Sequence, residues 1–504
     1  MPLQGPFETA TVTPGRLARA GRLLALLSLA LLLTLAPGRA HSEDDIRSQS
    51  VLAERIRSRI EEADLGDGIG VSVVNLSSGR TVAGHNAATP RNPASNMKLI
   101  TSAVSLRELG ADFIMRTGLY GQQRGDEIEG GLYLKGFGDP TLDHGVLLAM
   151  AQELVQRGVR KVDELIVDGS YFDDQILPPA FEQQPNEVAP FRAAISAIAV
   201  NGSAYTLRVR PGVTAGSAAH AEVDASAYFD VTNDITTSAE GPARVIAVQT
   251  PNDGKLSLRL SGSVPLGITG ASYRRRVESP LHYAGYAMAE ALRSMRVQLP
   301  MRVKVAPMPS GTPLLTSHQS PPLSNVLYAL GKHSDNFVAE MLLKVLAAER
   351  VGQPGRSEAG ARLVLEELGK LGIAGDGLKV VNGSGLFDGN QVAPAHLTKL
   401  LATMYADPDL RAEYLAQLAV GGVDGTLHRR LTQLPAPRIV RAKTGTLADV
   451  IALSGYVLGR EPGRAFAFSF LANGVRGKHH AARSLADGIV SDIAMHLWSQ
   501  GAAD

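Results

Sequence analysis

The sequence has 504 residues, 44% hydrophobic and 20% charged, which is apolar mass enough for roughly three globular units and rules out wholesale disorder. Lys+Arg number 50 and Asp+Glu 49, so no charge excess points to nucleic acid. With no cysteine, a disulfide framework, a thiol nucleophile, zinc ribbons and iron–sulfur sites are excluded.

In chain order, Arg16, Arg19 and Arg22 precede an apolar run from Leu23 to Ala36 of 14 residues, shorter than the roughly 20 that a membrane span needs. Pro37, Gly38, Arg39 and Ala40 follow. Residues 1–40 read as a secretory signal peptide cut after Ala40, which predicts an exported, periplasmic mature chain without an integral span. Glu43 to Ala63 reads as a helix with Ile46, Val51, Ile56 and Ile60 along one side. A strand over Gly68–Asn75 turns at Ser77-Ser78-Gly79 into a hairpin partner over Arg80–Gly84. Ser95 to Leu109 reads as a helix with Met97, Ile100, Ala103 and Val104 inward, stopped by Gly110.

From about 110 to 276 short apolar stretches recur between Gly, Asp and Pro: Gly131–Lys135, Glu164–Asp168, Tyr205–Val209 and Arg244–Val248, with one helix near Val146 to Arg157. Helices resume over Leu281–Met295, Ser324–Arg350 and Arg362–Leu371. Three strands, Arg438–Lys443, Val450–Leu458 and Arg464–Leu471, precede a last helix from His479 to Trp498. Helices and an antiparallel sheet thus lie at both ends. The expectation is one α+β domain built from 41–109 and 277–504, interrupted by a β-rich insertion over 110–276.

Three short patterns stand in order. Ser95-Asn-Met-Lys98 puts a hydroxyl and an amine one helical turn apart, where an uncharged lysine can deprotonate the serine. Ser334-Asp335-Asn336 precedes an apolar helix; alone it is a helix cap. Lys443-Thr444-Gly445, followed by Thr446, ends a strand; alone it is a glycine turn. Each is weak singly. Together, once each, on a helix start, an inter-helix loop and a strand, they stop being coincidence.

These residues resemble the signatures of penicillin-binding proteins and serine β-lactamases. The closer resemblance is to the type-4 D-alanyl-D-alanine carboxypeptidase/endopeptidase family, which carries a large insertion between the first two motifs. Asn92-Pro-Ala-Ser-Asn-Met-Lys, Gly138-Asp-Pro-Thr-Leu, Val167-Asp-Gly-Ser-Tyr-Phe, Asn382-Gly-Ser-Gly-Leu and Gly422-Val-Asp-Gly-Thr-Leu are similar to the same family. The resemblance implies a β-lactamase/transpeptidase-like domain and a serine D,D-peptidase that cuts D-Ala-D-Ala termini or D-Ala cross-links of peptidoglycan stem peptides, with no cofactor and no metal. Ser95 would form the acyl-enzyme, Lys98 would act as base, Ser334 would relay a proton and Asn336 would orient Lys98 and the substrate. Burial and the charge of Lys443 would lower the lysine's pKa. The N–H groups of Ser95 and Thr446 would form the oxyanion hole, and Lys443, Thr444, Gly445 and Thr446 would hold the terminal carboxylate along a strand edge. Penicillins would acylate Ser95 as covalent inhibitors.

Four positions depart from that family's pattern. Phe387-Asp388 stands where a Ser-Arg pair is usual, Ala448 where a polar residue is common, and Glu187 where an Asp holds the side chain's ammonium. An Asp in place of the arginine repels a substrate carboxylate. Two other readings are a non-catalytic wall-binding or scaffolding protein on the same fold and a class A β-lactamase. The latter's Glu-x-x-Leu-Asn element is missing between Asn336 and Lys443. His333, His428, His479 and His480 read as structural or surface residues rather than metal ligands.

Overall fold

The computed structural model describes residues 43–499, and the expected signal peptide at 1–40 lies outside the described residues. Two units are distinguished, Met1–Val51 and Leu52–Asp504. Of the first, only the opening turns of the helix Glu43–Ala63 are described; the remaining architecture belongs to the second. The buried stripe of that helix runs through Leu52, Ile56 and Ile60, while Val51 is exposed. Leu52, Ile56 and Ile60 follow the i, i+4 spacing of one helix face, and Val51 stands about 100° away from it.

A six-stranded sheet draws on both ends of this unit. Its spatial order is Ala419–Val420, Val440–Leu447, Val450–Leu458, Ala465–Asn473, Ile69–Asn75, Thr81–His85, and every pair is antiparallel. The central strands read as unbroken apolar runs because helices cover both faces. Alternation survives in which core each side chain enters. Phe466, Phe468 and Phe470 join Ile56 and Ile489 on one side; Ala467, Leu471, Ala452 and Tyr456 face the helical core on the other.

Helix Met97–Leu109 runs through that helical core. Leu323–Lys332, Asn336–Arg350, Ser357–Lys370 and Pro394–Ala406 pack against it. Every residue from Met97 to Leu106 is buried, so the one-sided stripe expected from sequence understates its burial. The polar Thr101 and Ser102 go inside because their hydroxyls donate to the carbonyls of Gly383 (2.7 Å) and Leu99 (3.2 Å). The helical stretch expected over Ser324–Arg350 is two helices. Ser334 breaks it with a left-handed φ of 59°, and Asp335 caps the second by accepting the Val338 N–H at 3.2 Å.

The β-rich insertion holds a six-stranded mixed sheet in the order Val303–Val305, Leu165–Asp168, Glu127–Gly136, Arg116–Arg124, Leu314–Gln319, with Lys161–Val162 paired to Glu127–Gly136. Two three-stranded sheets adjoin it: Arg244–Asn252, Lys255–Pro265, Phe229–Ser238, and Ala271–Arg276, Ala204–Arg210, His220–Val223. The sheet reaches past the expected end at 276. Val303–Val305 and Leu314–Gln319 hydrogen-bond into it, and helix Pro280–Ser294 packs on it. The first architecture therefore resumes near Leu323 rather than at 277. Val303–Val305 is too short to show a period. Lys255–Pro265 does carry a period of two, with Leu256, Leu258 and Leu260 buried between Ser257, Arg259 and Ser261.

Candidate active site

Ser95 lies in the single turn Ala94–Asn96 that feeds helix Met97–Leu109. Asn92 builds the turn: its Oδ1 accepts the Ala94 N–H at 2.9 Å and its Nδ2 donates to Asp388 Oδ1 at 2.8 Å. Ala94 stands at φ 45°, a left-handed conformation that costs a non-glycine residue about 1–2 kcal/mol. Two chain segments press on it. A Cβ on Gly385, itself at φ +75°, would stand 1.8 Å from the Ala94 carbonyl oxygen, and one on Gly445 would stand 3.0 Å from the Ala94 Cβ. Glycine at 385 and 445 is what lets the Ser384–Leu386 loop and the strand Val440–Leu447 close on the serine turn.

Lys98 is fully buried. Its Nζ donates to Ser95 Oγ at 3.1 Å, to Asn336 Oδ1 at 2.7 Å and to the Ser384 carbonyl at 2.7 Å. Burial lowers its pKa to about 7, against the opposing pull of Glu340 and Asp335. The expected depression of Lys98 by the charge of Lys443 is not the way the pair is arranged. Lys443, equally buried, is the one held well below the usual lysine range, by burial first and by Lys98 second. Two amines enclosed together do not both take a proton easily.

Lys443 Nζ donates to Ser334 Oγ at 2.7 Å and to the Thr444 carbonyl at 2.8 Å. The motif Lys443-Thr444-Gly445 lies inside the strand Val440–Leu447 rather than at its end. The neighbouring strand Ala419–Val420 pairs only with Arg441 and Ala442, so among the described residues no strand covers the outer edge from Lys443 to Leu447. Asn336 Nδ2 donates to the Phe191 carbonyl at 2.9 Å, which ties it to the insertion. That loop is stapled by the buried Arg192, whose Nε donates to the Phe181 carbonyl at 2.7 Å.

A cavity of about 610 Å³ opens at Ser95, with Ser334, Asn336, Thr446, Gln183 and Asp388 also on its walls. Lys98 and Lys443 lie buried beneath it. The structure thus brings Ser95, Lys98, Ser334, Asn336 and Lys443 together. Thr444 and Gly445 do not line this cavity; Thr444 Oγ1 donates to Thr426 Oγ1 at 2.8 Å, which gives the Gly422–Leu427 phrase a place. Asp388 and Ala448 line the cavity, whereas Glu187 does not, its carboxylate accepting the Ala189 N–H at 2.8 Å. Sequence reasoning missed Glu340, Thr426 and the carbonyls of Ser384 and Phe191. Glu340 had a detectable signal, an acid four residues after Asn336 inside an apolar helix run. Backbone carbonyls leave no mark in residue type.

The model of the D-Ala-D-Ala carboxypeptidase 3 (S13) family matches residues 52–493. A D-alanyl-D-alanine carboxypeptidase from Actinomadura sp. (strain R39) is 34% identical over 471 residues, 89% of this chain and 85% of that protein. The D-alanyl-D-alanine carboxypeptidase DacB of Haemophilus influenzae is 25% identical over 419 residues, 81% of this chain and 86% of that protein. Among solved structures, penicillin binding protein 4 from Haemophilus influenzae superposes with a TM-score of 0.73 at 23% identity, over 88% of this chain and 99% of that one.

Proposed function

The chain belongs to the D-Ala-D-Ala carboxypeptidase 3 (S13) family and is a serine-type D-Ala-D-Ala carboxypeptidase, and from that premise we propose how its residues carry the reaction. Ser95 Oγ attacks the carbonyl carbon of the penultimate D-alanine while Lys98 Nζ takes the hydroxyl proton. The N–H groups of Ser95 and Thr446 receive the oxyanion, worth about 3 kcal/mol per donor. The C–N bond then breaks. Ser334, which accepts from Lys443, relays the captured proton: it gives its own O–H proton to the departing amine and takes up the one held by Lys98, which leaves Lys98 neutral again. D-Alanine leaves and an ester remains on Ser95. Water, deprotonated by the neutral Lys98, attacks that ester, and as the C–O bond breaks Lys98 hands the proton to Ser95 Oγ, which restores both the serine and the base and frees the shortened peptide. Thr446 on the cavity wall, with Lys443 close by, holds the substrate's terminal carboxylate, and the uncovered strand edge pairs with its extended backbone.

The observation that carries this reading is the 3.1 Å contact between a buried Lys98 amine and Ser95 Oγ, with the amine's pKa near 7. A base must be unprotonated at working pH, and an ordinary lysine at about 10.4 is not. The substrates in this reading are peptidoglycan stem peptides in the periplasm, reached by export, and β-lactams acylate the same serine. No helix among the described residues is long and apolar enough to cross a membrane. Asp388 on the cavity wall disfavours stem peptides whose side chain ends in a free carboxylate.

The test is labelling of purified protein with a fluorescent penicillin, followed by D-alanine release from a stem pentapeptide. Wild-type protein labels and releases D-alanine, and Ser95→Ala does neither. Labelling that persists in Ser95→Ala removes that serine from its role.

A further inference from the structure

We propose that Glu340 is a positioning residue which, by holding the backbone of Ser384, aims the lone pair of Lys98 at the Ser95 hydroxyl. The inference rests on Lys98 being the base. A neutral primary amine has two N–H bonds and one lone pair in a tetrahedral arrangement. Around Lys98 Nζ stand three partners: Ser95 Oγ, Asn336 Oδ1 and the Ser384 carbonyl oxygen. Asn336 Oδ1, whose own Nδ2 is engaged by the Phe191 carbonyl, and the Ser384 carbonyl accept but cannot donate to the amine. In the neutral state they take its two N–H bonds, and the third direction, toward Ser95, is left to the lone pair. Remove either acceptor and the amine can turn an N–H toward the serine instead.

Asn336 is held by its own helix. The Ser384 carbonyl has no such support, because it belongs to a loop. Glu340 supplies the support. It lies four residues after Asn336 on helix Asn336–Arg350, on the same face, and is 1% exposed. Its two carboxylate oxygens accept the consecutive N–H groups of Gly383 (3.1 Å) and Ser384 (2.7 Å). The Ser384 residue is thereby pinned at its N–H by Glu340 while its carbonyl meets Lys98. The same loop is trapped from the other side by Thr101 Oγ1 on the Gly383 carbonyl and by the close pass of Gly385 over Ala94. Glu340 also faces Lys98 electrostatically. The charged groups around that amine are Glu340 and Asp335 on one side and Lys443 on the other. Burial pushes the Glu340 carboxyl upward, and the two N–H bonds and Lys98 pull it back toward ionisation.

The experiment compares wild-type protein with Glu340→Gln, Glu340→Asp and Lys98→Met, each confirmed as folded by circular dichroism and melting. The readouts are the second-order acylation rate by benzylpenicillin and its pH profile. Glu340→Gln offers one acceptor for two N–H groups and no charge. Its acylation rate at the alkaline plateau is expected to fall at least tenfold. Its acid limb is expected to move to lower pH, since the charge that favoured protonated Lys98 is gone. Glu340→Asp, which keeps the charge but not the reach, is expected to lose rate while leaving the limb close to that of the wild type. A folded Glu340→Gln with the wild-type rate, or with a lowered rate and an unmoved limb, overturns the proposal. Lys98→Met separates the two readings: if it still acylates at the wild-type rate, the base assignment itself fails, and if it is inactive while Glu340→Gln is normal, only the positioning role fails.

Discussion

At the scale of single residues, the site is a contest over one proton. Burial brings Lys98 to about 7, so below that value the amine is protonated and, in the proposed mechanism, Ser95 lacks its base. Acylation by a β-lactam is expected to rise with pH through about 7 and level off above it, measured as the rate of penicillin consumption across pH 5 to 9, a range centred on that value. A profile flat through 7 contradicts a titrating lysine. Asp388 offers a second test. Its carboxylate lines the cavity while Asn92 holds one oxygen. Asp388→Arg is expected to shift kcat/KM toward peptides with a free side-chain carboxylate over their amidated forms by about tenfold, roughly the 1.4 kcal/mol that one solvent-exposed charge reversal can supply. Comparing two substrates on one variant cancels any disturbance of the serine turn through Asn92. Ser95, Lys98, Ser334, Asn336 and Lys443 were legible in the sequence because each sits in a short contiguous pattern. Glu340 left a mark, an acid inside an apolar helix run, but its purpose appears only when the loop it grips, more than forty residues on, folds back to it.

At the scale of elements, the chemistry depends on how closely three pieces of chain approach. The left-handed Ala94 and Ser334 are strained corners, and glycines 385 and 445 let neighbouring backbone reach the first of them. Gly385→Ala places a methyl in the Ala94 carbonyl and forces a non-glycine residue to a φ near +75°. It is expected to cost about 2–5 kcal/mol, from strain plus overpacking, read as a lower denaturation midpoint together with loss of penicillin labelling. Most helices and the three C-terminal strands could be read from periodicity and punctuation. Their joints were harder. Ser324–Arg350 reads as one apolar stretch, and only the backbone shows that it turns at Ser334. Lys443-Thr444-Gly445 reads as a strand end because glycine usually marks one; here the glycine serves a close approach within a continuing strand.

At the scale of the whole molecule, the α+β core drawn from both ends of the chain was legible, because strands and helices cluster there in the same style. The extent of the insertion was not, because Val303–Val305 and Leu314–Gln319 are defined by the sheet they join and carry little pattern of their own. The insertion is fastened to helix Asn336–Arg350 by its buried Lys344, which donates to Asp173 Oδ1 at 2.5 Å and to the Gln175 carbonyl at 2.6 Å. Lys344→Met leaves Asp173 almost without water and, among the described residues, with only the distant Arg356 at 4.0 Å as an ion-pair partner. A loss of about 3–5 kcal/mol is expected from that broken pair, seen in chemical denaturation. The labelling rate should drop with it, since the loop it anchors continues to Phe191.

The bond from the Asn336 side-chain amide to the Phe191 carbonyl sets a limit on how far such an enzyme can be pared down. A shortened version that joins residue 110 directly to residue 320 would leave the three motifs untouched in sequence, yet its asparagine would be free to rotate and offer nitrogen, not oxygen, to the amine beside it. The inserted chain is therefore more than ornament around a small hydrolase: in the proposed mechanism, the turn Pro190–Arg192 within it supplies the contact that fixes the asparagine's orientation.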